Sequence, residues 1–195
     1  RQQMVGYSFS HQFDDTFTVR QNLRYANVHT LYRSVYGNGY TPTGKINRAY
    51  VRSDENLNTF TVDTQLQSDF ATGAVGHTLL TGVDYSRMRN DVNADYGTAS
   101  ALDMQNPQYG NANVSVNFPY SVLNRMEQTG LYAQDQMAWD KWVMTLGGRY
   151  DYAMASTLTR PANTLAKNHD QQFTWRGGIN YLFDNGISPY FSYSQ

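Results

Sequence analysis

Apolar and polar side chains alternate with a period of two along much of the chain, most clearly near its C-terminal end. One parity of residues 172–183 carries Phe173, Trp175, Gly177, Ile179, Tyr181 and Phe183, and the other carries Thr174, Arg176, Gly178 and Asn180. A period of two is that of a β-strand with one apolar and one polar face. The Asp-Asn-Gly sequence at 184–186 predicts a tight turn, because Asn and Gly adopt positive φ at little cost. The stretch therefore predicts a β-hairpin.

The same hairpin pattern recurs along the chain. Alternating segments occupy about 4–13, 17–25, 60–67, 79–86, 122–137 and 142–151, although at 122–137 the pattern leaves open which parity faces which way. Short turns are predicted at 14–15, 71–74 and 139–141, and long aperiodic loops at about 30–45, 91–119 and 155–170, the first two of them rich in Gly, Asn and Tyr. Strict alternation of short turns and long loops is typical of outer-membrane barrels.

The predicted fold is all-β: an antiparallel, up-and-down transmembrane β-barrel segment of about eight strands. Aromatic-rich apolar faces opposed by Arg, Asn and Ser suit lipid on one side and a polar lumen on the other. Tyr is the most conspicuous residue, with 16 copies against 9 Phe, as expected for strands with a single apolar face. Several strands exceed the roughly 9–11 residues that cross a bilayer, so we expect them to project beyond it.

Charge and composition exclude several function classes. The net charge is −1 with no basic stripe, which argues against nucleic acid as a partner. The absence of cysteine excludes a disulfide framework and thiolate metal sites. Asp84 and His77 would suggest a membrane protease, but no nucleophile and base follow in a catalytic order, and we predict no enzymatic activity.

Charged side chains on the predicted polar faces are interpreted as a lumen wall rather than as a catalytic or ion-conducting set. They are Arg20, Arg24, Asp84, Arg149, Asp151 and Arg176. Buried charges need partners, and a plug inside the lumen would provide them.

Long contiguous blocks of the chain resemble the TonB-dependent outer-membrane siderophore receptors. They are HTLLTGVDYSRMRNDVNA at 77–94, QTGLYAQDQMAWDKWVMTLGGRYD at 128–151 and QFTWRGGINYLFDNGISPYFSYS at 172–194. The resemblance covers nearly the whole chain and is weakest in the three predicted loops. It implies that residues 1–195 belong to a plugged barrel of about 22 strands in the bacterial outer membrane, with the plug and the remaining strands absent.

The resemblance also implies a function. Such receptors take up an iron–siderophore complex with energy from the TonB–ExbB–ExbD system, which acts through the plug, and phages or bacteriocins exploit their loops. The blocks favour a ferric hydroxamate siderophore of the ferrichrome type. Tyr36 and Tyr96 match aromatic binding positions of the loops. Another binding position falls on Asn38, where the chain departs from the pattern, and Tyr40 could occupy similar space.

The physical chemistry of such a ligand fits these residues. A trishydroxamate complex is neutral and its iron is already fully coordinated, so we expect neither metal ligands nor a resident cofactor, only aromatic walls and a few hydrogen bonds. An anionic catecholate complex would favour an Arg or Lys cluster, which the second loop lacks. Two alternatives remain: a receptor for another hydroxamate such as ferrioxamine, and a passive porin-like channel.

Overall fold

A computed structural model describes residues 1–110 and 112–195 and contains one antiparallel sheet of eight strands in the order β1 to β8. The strands are β1 (Gln2–Gln12), β2 (Phe17–Tyr40), β3 (Lys45–Thr72), β4 (Val75–Asp103), β5 (Val114–Trp139), β6 (Trp142–Thr159), β7 (Thr164–Tyr181) and β8 (Tyr190–Ser194). Each hairpin pairs strands adjacent in the chain, which confirms the predicted all-β, up-and-down topology. The described residues include no helix long and apolar enough to cross a membrane.

One end of the sheet, here called the turn end, carries the tight connections. The Asp14 carboxylate accepts the backbone N–H groups of Thr16 and Phe17, at 2.8 and 2.7 Å, and so closes the β1–β2 turn. Gly73 has φ of 63° and Asp140 has φ of 50°, and both conformations reverse the chain within two residues. These turns lie where the sequence predicts them.

The opposite end, here called the loop end, differs from the sequence-based expectation. β2 continues to Tyr40, β4 to Asp103 and β6 to Thr159, so most of the predicted loops at 30–45, 91–119 and 155–170 are strand. The alternation of polarity fades there because, beyond the bilayer, water can reach both faces and neither face must be apolar. The expectation that strands project past the membrane is consistent with this geometry.

Register assigns the side chains to two faces. Val62 is paired with Leu23 and Tyr85, whereas its neighbour Asp63 is paired with Asn22 and Asp84. We call the apolar side the outer face and the polar side the inner face. On β5, Leu131 lies between Val83 and Tyr150 on the outer face, which settles the parity that the sequence left open.

The outer face carries an apolar band bounded by aromatic side chains. Trp142 and Tyr152 lie ten residues apart on β6. At about 3.3 Å per residue and a tilt near 45°, that separation corresponds to about 23 Å, close to the height of a barrel's lipid-facing band. Beyond Tyr152 the outer face becomes charged, as where the Arg87 Nε lies 3.4 Å from the Glu127 Oε1.

A sheet of one layer has little interior. The buried hydrophobic residues among those described are Ala49, Ala94, Val122 and Leu123. All four lie toward the loop end, and all but Leu123 belong to the inner face. Burial therefore concentrates beside the residues that the sequence proposes as a binding site.

Candidate functional site

The two principal predicted site residues share the inner face at the loop end. Tyr36 on β2 is paired with Ala49 on β3, and Ala49 is paired with Thr98 on β4. Tyr96 is paired with Val51, one row nearer the membrane. Tyr36 and Tyr96 are about half exposed, so each presents a ring and a hydroxyl on the inner face of the sheet.

Asn38 and Tyr40 occupy a different environment. The β2–β3 register shifts between Gly37 and Tyr40, and Asn38 falls within that irregularity. Tyr40 is paired with Ile46 beside the turn and is 74% exposed. The structure therefore brings Tyr36 and Tyr96 to one surface and places Tyr40 at its rim.

Two further aromatic residues border Tyr96. Phe118 is its direct partner on β5, and Tyr120 is the partner of Ala94. The sequence predicts a loop at Phe118 and no role for either residue. A usable signal was present in the alternation of Val114, Val116, Phe118 and Tyr120 with Ser115, Asn117 and Pro119.

Nearer the turn end, the inner face holds a network of ion pairs. Arg149 donates from Nη1 to the Asp84 Oδ2 and from Nη2 to the Asp151 Oδ1, both at 2.6 Å. The Tyr132 hydroxyl donates to the Asp63 Oδ1 at 2.7 Å. Hydrogen bonds to charged groups are stronger than neutral ones, so this cluster holds β3 to β6 in register. Arg149 thus binds carboxylates of the wall itself, whereas the sequence-based expectation was that a plug would supply the partners.

Two other arginines of the inner face bind amides instead of carboxylates. The Arg20 Nη1 donates to the Gln67 Oε1 at 2.8 Å, and the Arg176 Nε donates to the Gln134 Oε1 at 2.9 Å. Their positive charge is solvated by neutral acceptors. This part of the inner face is therefore a polar wall, as predicted.

The protease hypothesis has no geometric support. His77 lies on the outer face and Asp84 on the inner face. The His77 Nδ1 lies 2.7 Å from the Asp135 Oδ2, and its ring stacks on Phe70 with centroids 4.8 Å apart. Within residues 1–110 and 112–195, no group of three or more His, Cys, Asp or Glu side chains could hold a metal ion.

Two carboxylates at the loop end accept hydrogen bonds that lower their pKa values. The Arg160 Nη2 donates to the Asp91 Oδ2 at 2.6 Å, and this hydrogen bond lowers the pKa of Asp91 below its ordinary value and raises the pKa of Arg160. Asp103 accepts the backbone N–H of Gln105 at 2.9 Å, which with a second backbone N–H lowers the pKa of Asp103. Both carboxylates are ionised at neutral pH.

Comparison with known proteins identifies related sequences. The family model described as TonB dependent receptor-like, β-barrel, matches residues 1–195. The chain is 52% identical to the ferrichrome outer membrane transporter/phage receptor of Escherichia coli K12 and 38% identical to the ferrioxamine B receptor of Salmonella typhimurium. Each alignment covers 100% of this chain but only 30% and 28%, respectively, of the relative. The chain thus spans less than a third of these relatives.

Solved structures share the fold. The siderophore receptor PiuA from Acinetobacter baumannii superposes with a TM-score of 0.82 at 21% identity, over 99% of this chain and 32% of PiuA. The ferric citrate transporter FecA superposes with a TM-score of 0.76 at 13% identity, over 98% of this chain and 26% of FecA. At such identities the likeness establishes the architecture alone.

Proposed function

Because the chain belongs to the TonB-dependent receptor β-barrel family, we propose that it forms part of the wall of an outer-membrane receptor for a ferric hydroxamate siderophore of the ferrichrome type. The observation that carries the proposal is the 52% identity, over the whole chain, to a ferrichrome transporter. The relatives named above are transporters and receptors, and the proposal includes no catalysis.

In the proposed mechanism the loop end receives the iron complex from outside the cell. Tyr36 and Tyr96 contact it with their rings and donate hydrogen bonds from their hydroxyls. Asn38 and Tyr40 stand at the rim as secondary contacts. The iron arrives fully coordinated, so binding needs shape and hydrogen bonding rather than metal ligands.

Transport itself requires parts beyond these strands. We propose that a plug within the full barrel reports occupancy of the site to the TonB–ExbB–ExbD system, which supplies the energy for uptake. The outer face anchors the wall in outer-membrane lipid through its apolar band. The exposed turns of the loop end are the surface that a phage or bacteriocin would meet, in keeping with the name of the E. coli relative.

A second candidate ligand is ferrioxamine. It is favoured by the 38% identity to ferrioxamine B receptors and by Asn38, where the chain departs from the ferrichrome-type pattern. The passive porin-like alternative is not favoured, because the matched family is one of TonB-dependent receptors.

Radiolabelled iron uptake by receptor-null cells that produce the intact parent protein would test the proposal. Ferrichrome and ferrioxamine B would be supplied separately, with and without a functional TonB system. We expect ferrichrome uptake that disappears without TonB. Preferential ferrioxamine uptake would show that the ligand is a different ferric hydroxamate. Uptake that persists without TonB would refute the receptor mechanism.

A further inference from the structure

Three successive rows of the inner face cross β2, β3, β4 and β5 at the loop end. In strand order they are Tyr36, Ala49, Thr98 and Ser115; Ser34, Val51, Tyr96 and Phe118; and Tyr32, Ser53, Ala94 and Tyr120. None of these twelve positions carries a charge. We call this surface the inner aromatic patch.

The contour of the inner aromatic patch is that of a shallow trough. Its floor consists of small residues, among them Ala49 and Ala94, which are 9% and 4% exposed. Its sides are large exposed rings, those of Tyr32 and Tyr36 on β2 and those of Tyr96, Phe118 and Tyr120 on β4 and β5. With strands about 4.8 Å apart, the inner aromatic patch spans about 14 Å of backbone from β2 to β5.

Charge at the same height is confined to the outer face. There the Arg52 Nη1 lies 3.1 Å from the Asp95 Oδ2. The only inner-face charge in the adjoining row is Glu55, whose Oε1 accepts a hydrogen bond from the Ser53 hydroxyl at 2.5 Å. The trough therefore has neutral walls and an anionic lower edge.

Such a surface discriminates between ligands by charge. An anion that leaves water to contact uncharged walls loses hydration without gaining a cationic partner, and Glu55 repels it further. A neutral complex of similar size meets neither cost and gains contact with the aromatic rings. The trough thus selects a neutral ligand both because it has no cationic side chain and because aromatic rings line it.

We infer that Phe118, Tyr120 and Tyr32 act with Tyr36 and Tyr96 as one specificity surface, which accepts neutral ferric complexes and rejects anionic ones. This inference rests on the proposed function and extends it to residues to which the sequence patterns give no role. Phe118 is the central addition. It pairs with Tyr96 directly below the register shift at Tyr96–Gly97, and at 71% exposure it is among the most exposed large side chains of the strands.

Direct binding to the intact, detergent-purified parent protein tests the inference. Ferrichrome is the neutral probe and a ferric tris-catecholate complex the anionic one, with affinity followed by quenching of intrinsic fluorescence. We expect Phe118→Ala and Tyr120→Ala each to weaken ferrichrome binding about tenfold, in line with loss of an aromatic contact. Tyr50→Ala is the matched control, because Tyr50 lies at the same height on the outer face, paired with Val35 and Gly97.

A charge inserted into the trough tests the electrostatic part. Ser34→Lys places a cation on the inner face, and Val35→Lys places the same cation on the outer face of the next position. We expect Ser34→Lys to raise affinity for the catecholate complex relative to ferrichrome at least tenfold and Val35→Lys to leave the ratio unchanged. A change in preference cannot be produced by misfolding, which lowers binding of both probes.

The outcomes separate the inference from the function on which it rests. A parent protein that binds no ferrichrome refutes both. A parent that binds ferrichrome, with unchanged affinity in Phe118→Ala and Tyr120→Ala and an unchanged ratio in Ser34→Lys, retains the function and overturns the specificity surface.

Discussion

Glycines on the inner face make room for the side chains that hold the wall together. A Cβ atom at Gly130 would collide with the Arg149 guanidinium and lie 2.9 Å from the Asp151 Oδ1. At Gly82, a Cβ atom would collide with the Tyr132 ring. Missing side chains on β4 and β5 are thus a condition for the charged network.

Gly130→Ala is expected to destabilise the barrel by roughly 1–3 kcal/mol, because the guanidinium must move away from two carboxylates. The measurement is the temperature at which the intact parent loses its heat-modifiable, folded band on a denaturing gel. Gly177→Ala is the control, since its Cβ atom would lie 3.8 Å from Trp175, an ordinary contact. Equal transition temperatures for the two variants would contradict the prediction.

The Asp91–Arg160 ion pair predicts a pH dependence at the loop end. The pKa of Asp91 lies below its ordinary 3.8, so the pair stabilises the folded state above that value and is lost as pH falls below it. A spin label at Ala162→Cys, in the adjacent turn, should keep constant mobility from pH 7 to about pH 4 and become mobile at lower pH. In Asp91→Asn the label should be mobile throughout, and mobility that already rises near pH 5 in the parent would disprove the assignment.

At the scale of the strands, the sequence predicts the membrane portion well and the loop end poorly. The turns around Asp14, Gly73 and Asp140 could be placed because the flanking alternation reports two different environments. Beyond the bilayer that contrast vanishes, so β4 continues to Asp103 through a stretch that appeared aperiodic. Beyond the membrane, therefore, a stretch without alternating polarity can still be a strand.

The site shows the same division. Tyr36 and Tyr96 could be predicted from the family resemblance, because it identifies matching positions in the sequence. It does not show which residues contact one another. Pairing of Phe118 with Tyr96 depends on register between strands, and so does that of Arg149 with Asp84, 65 residues apart in the chain. A single sequence contains no direct measure of register, so these relations required the structure.

The upper β4–β5 pair offers a test at this scale. A Cβ atom at Gly97 would collide with the backbone carbonyl of Ser115 and lie 3.0 Å from the Cα of Val116. Gly97→Ala is therefore expected to push the two strands apart on the loop-end side of Tyr96 and so to displace Phe118. Ferrichrome binding by the intact parent should then weaken more than tenfold.

Thermal stability in the same variant should change little, because the strain lies outside the membrane portion. Gly76→Ala is the control, because the Ala138 carbonyl oxygen would lie 3.9 Å from the added atom, an ordinary contact. Unaltered ligand binding by Gly97→Ala would show that the upper β4–β5 geometry has no part in recognition.

For the molecule as a whole, the decisive feature is the pair of open edges. Within the described residues, β1 pairs with β2 alone and β8 with β7 alone. Unpaired backbone groups are costly in lipid and promote association in water. The sheet is therefore expected to require further strands to close.

The isolated chain of 195 residues should consequently fail to form a monomeric barrel in detergent. Size-exclusion chromatography should show aggregates, and gel migration should be the same before and after heating. The intact parent, treated identically, provides the control. A monomeric species whose migration changes on heating would contradict this expectation.

The register irregularities between Gly37 and Tyr40, between Ile46 and Arg48, and between Tyr96 and Gly97 all lie at the loop end. Insertion of one residue below them would exchange the lipid-facing and lumen-facing sets of an entire strand. Beyond them, toward the connecting turns, an added or deleted residue leaves that assignment of faces unchanged. The connections at the loop end can therefore change in length while the strands nearer the turn end keep their assignment of outer and inner faces.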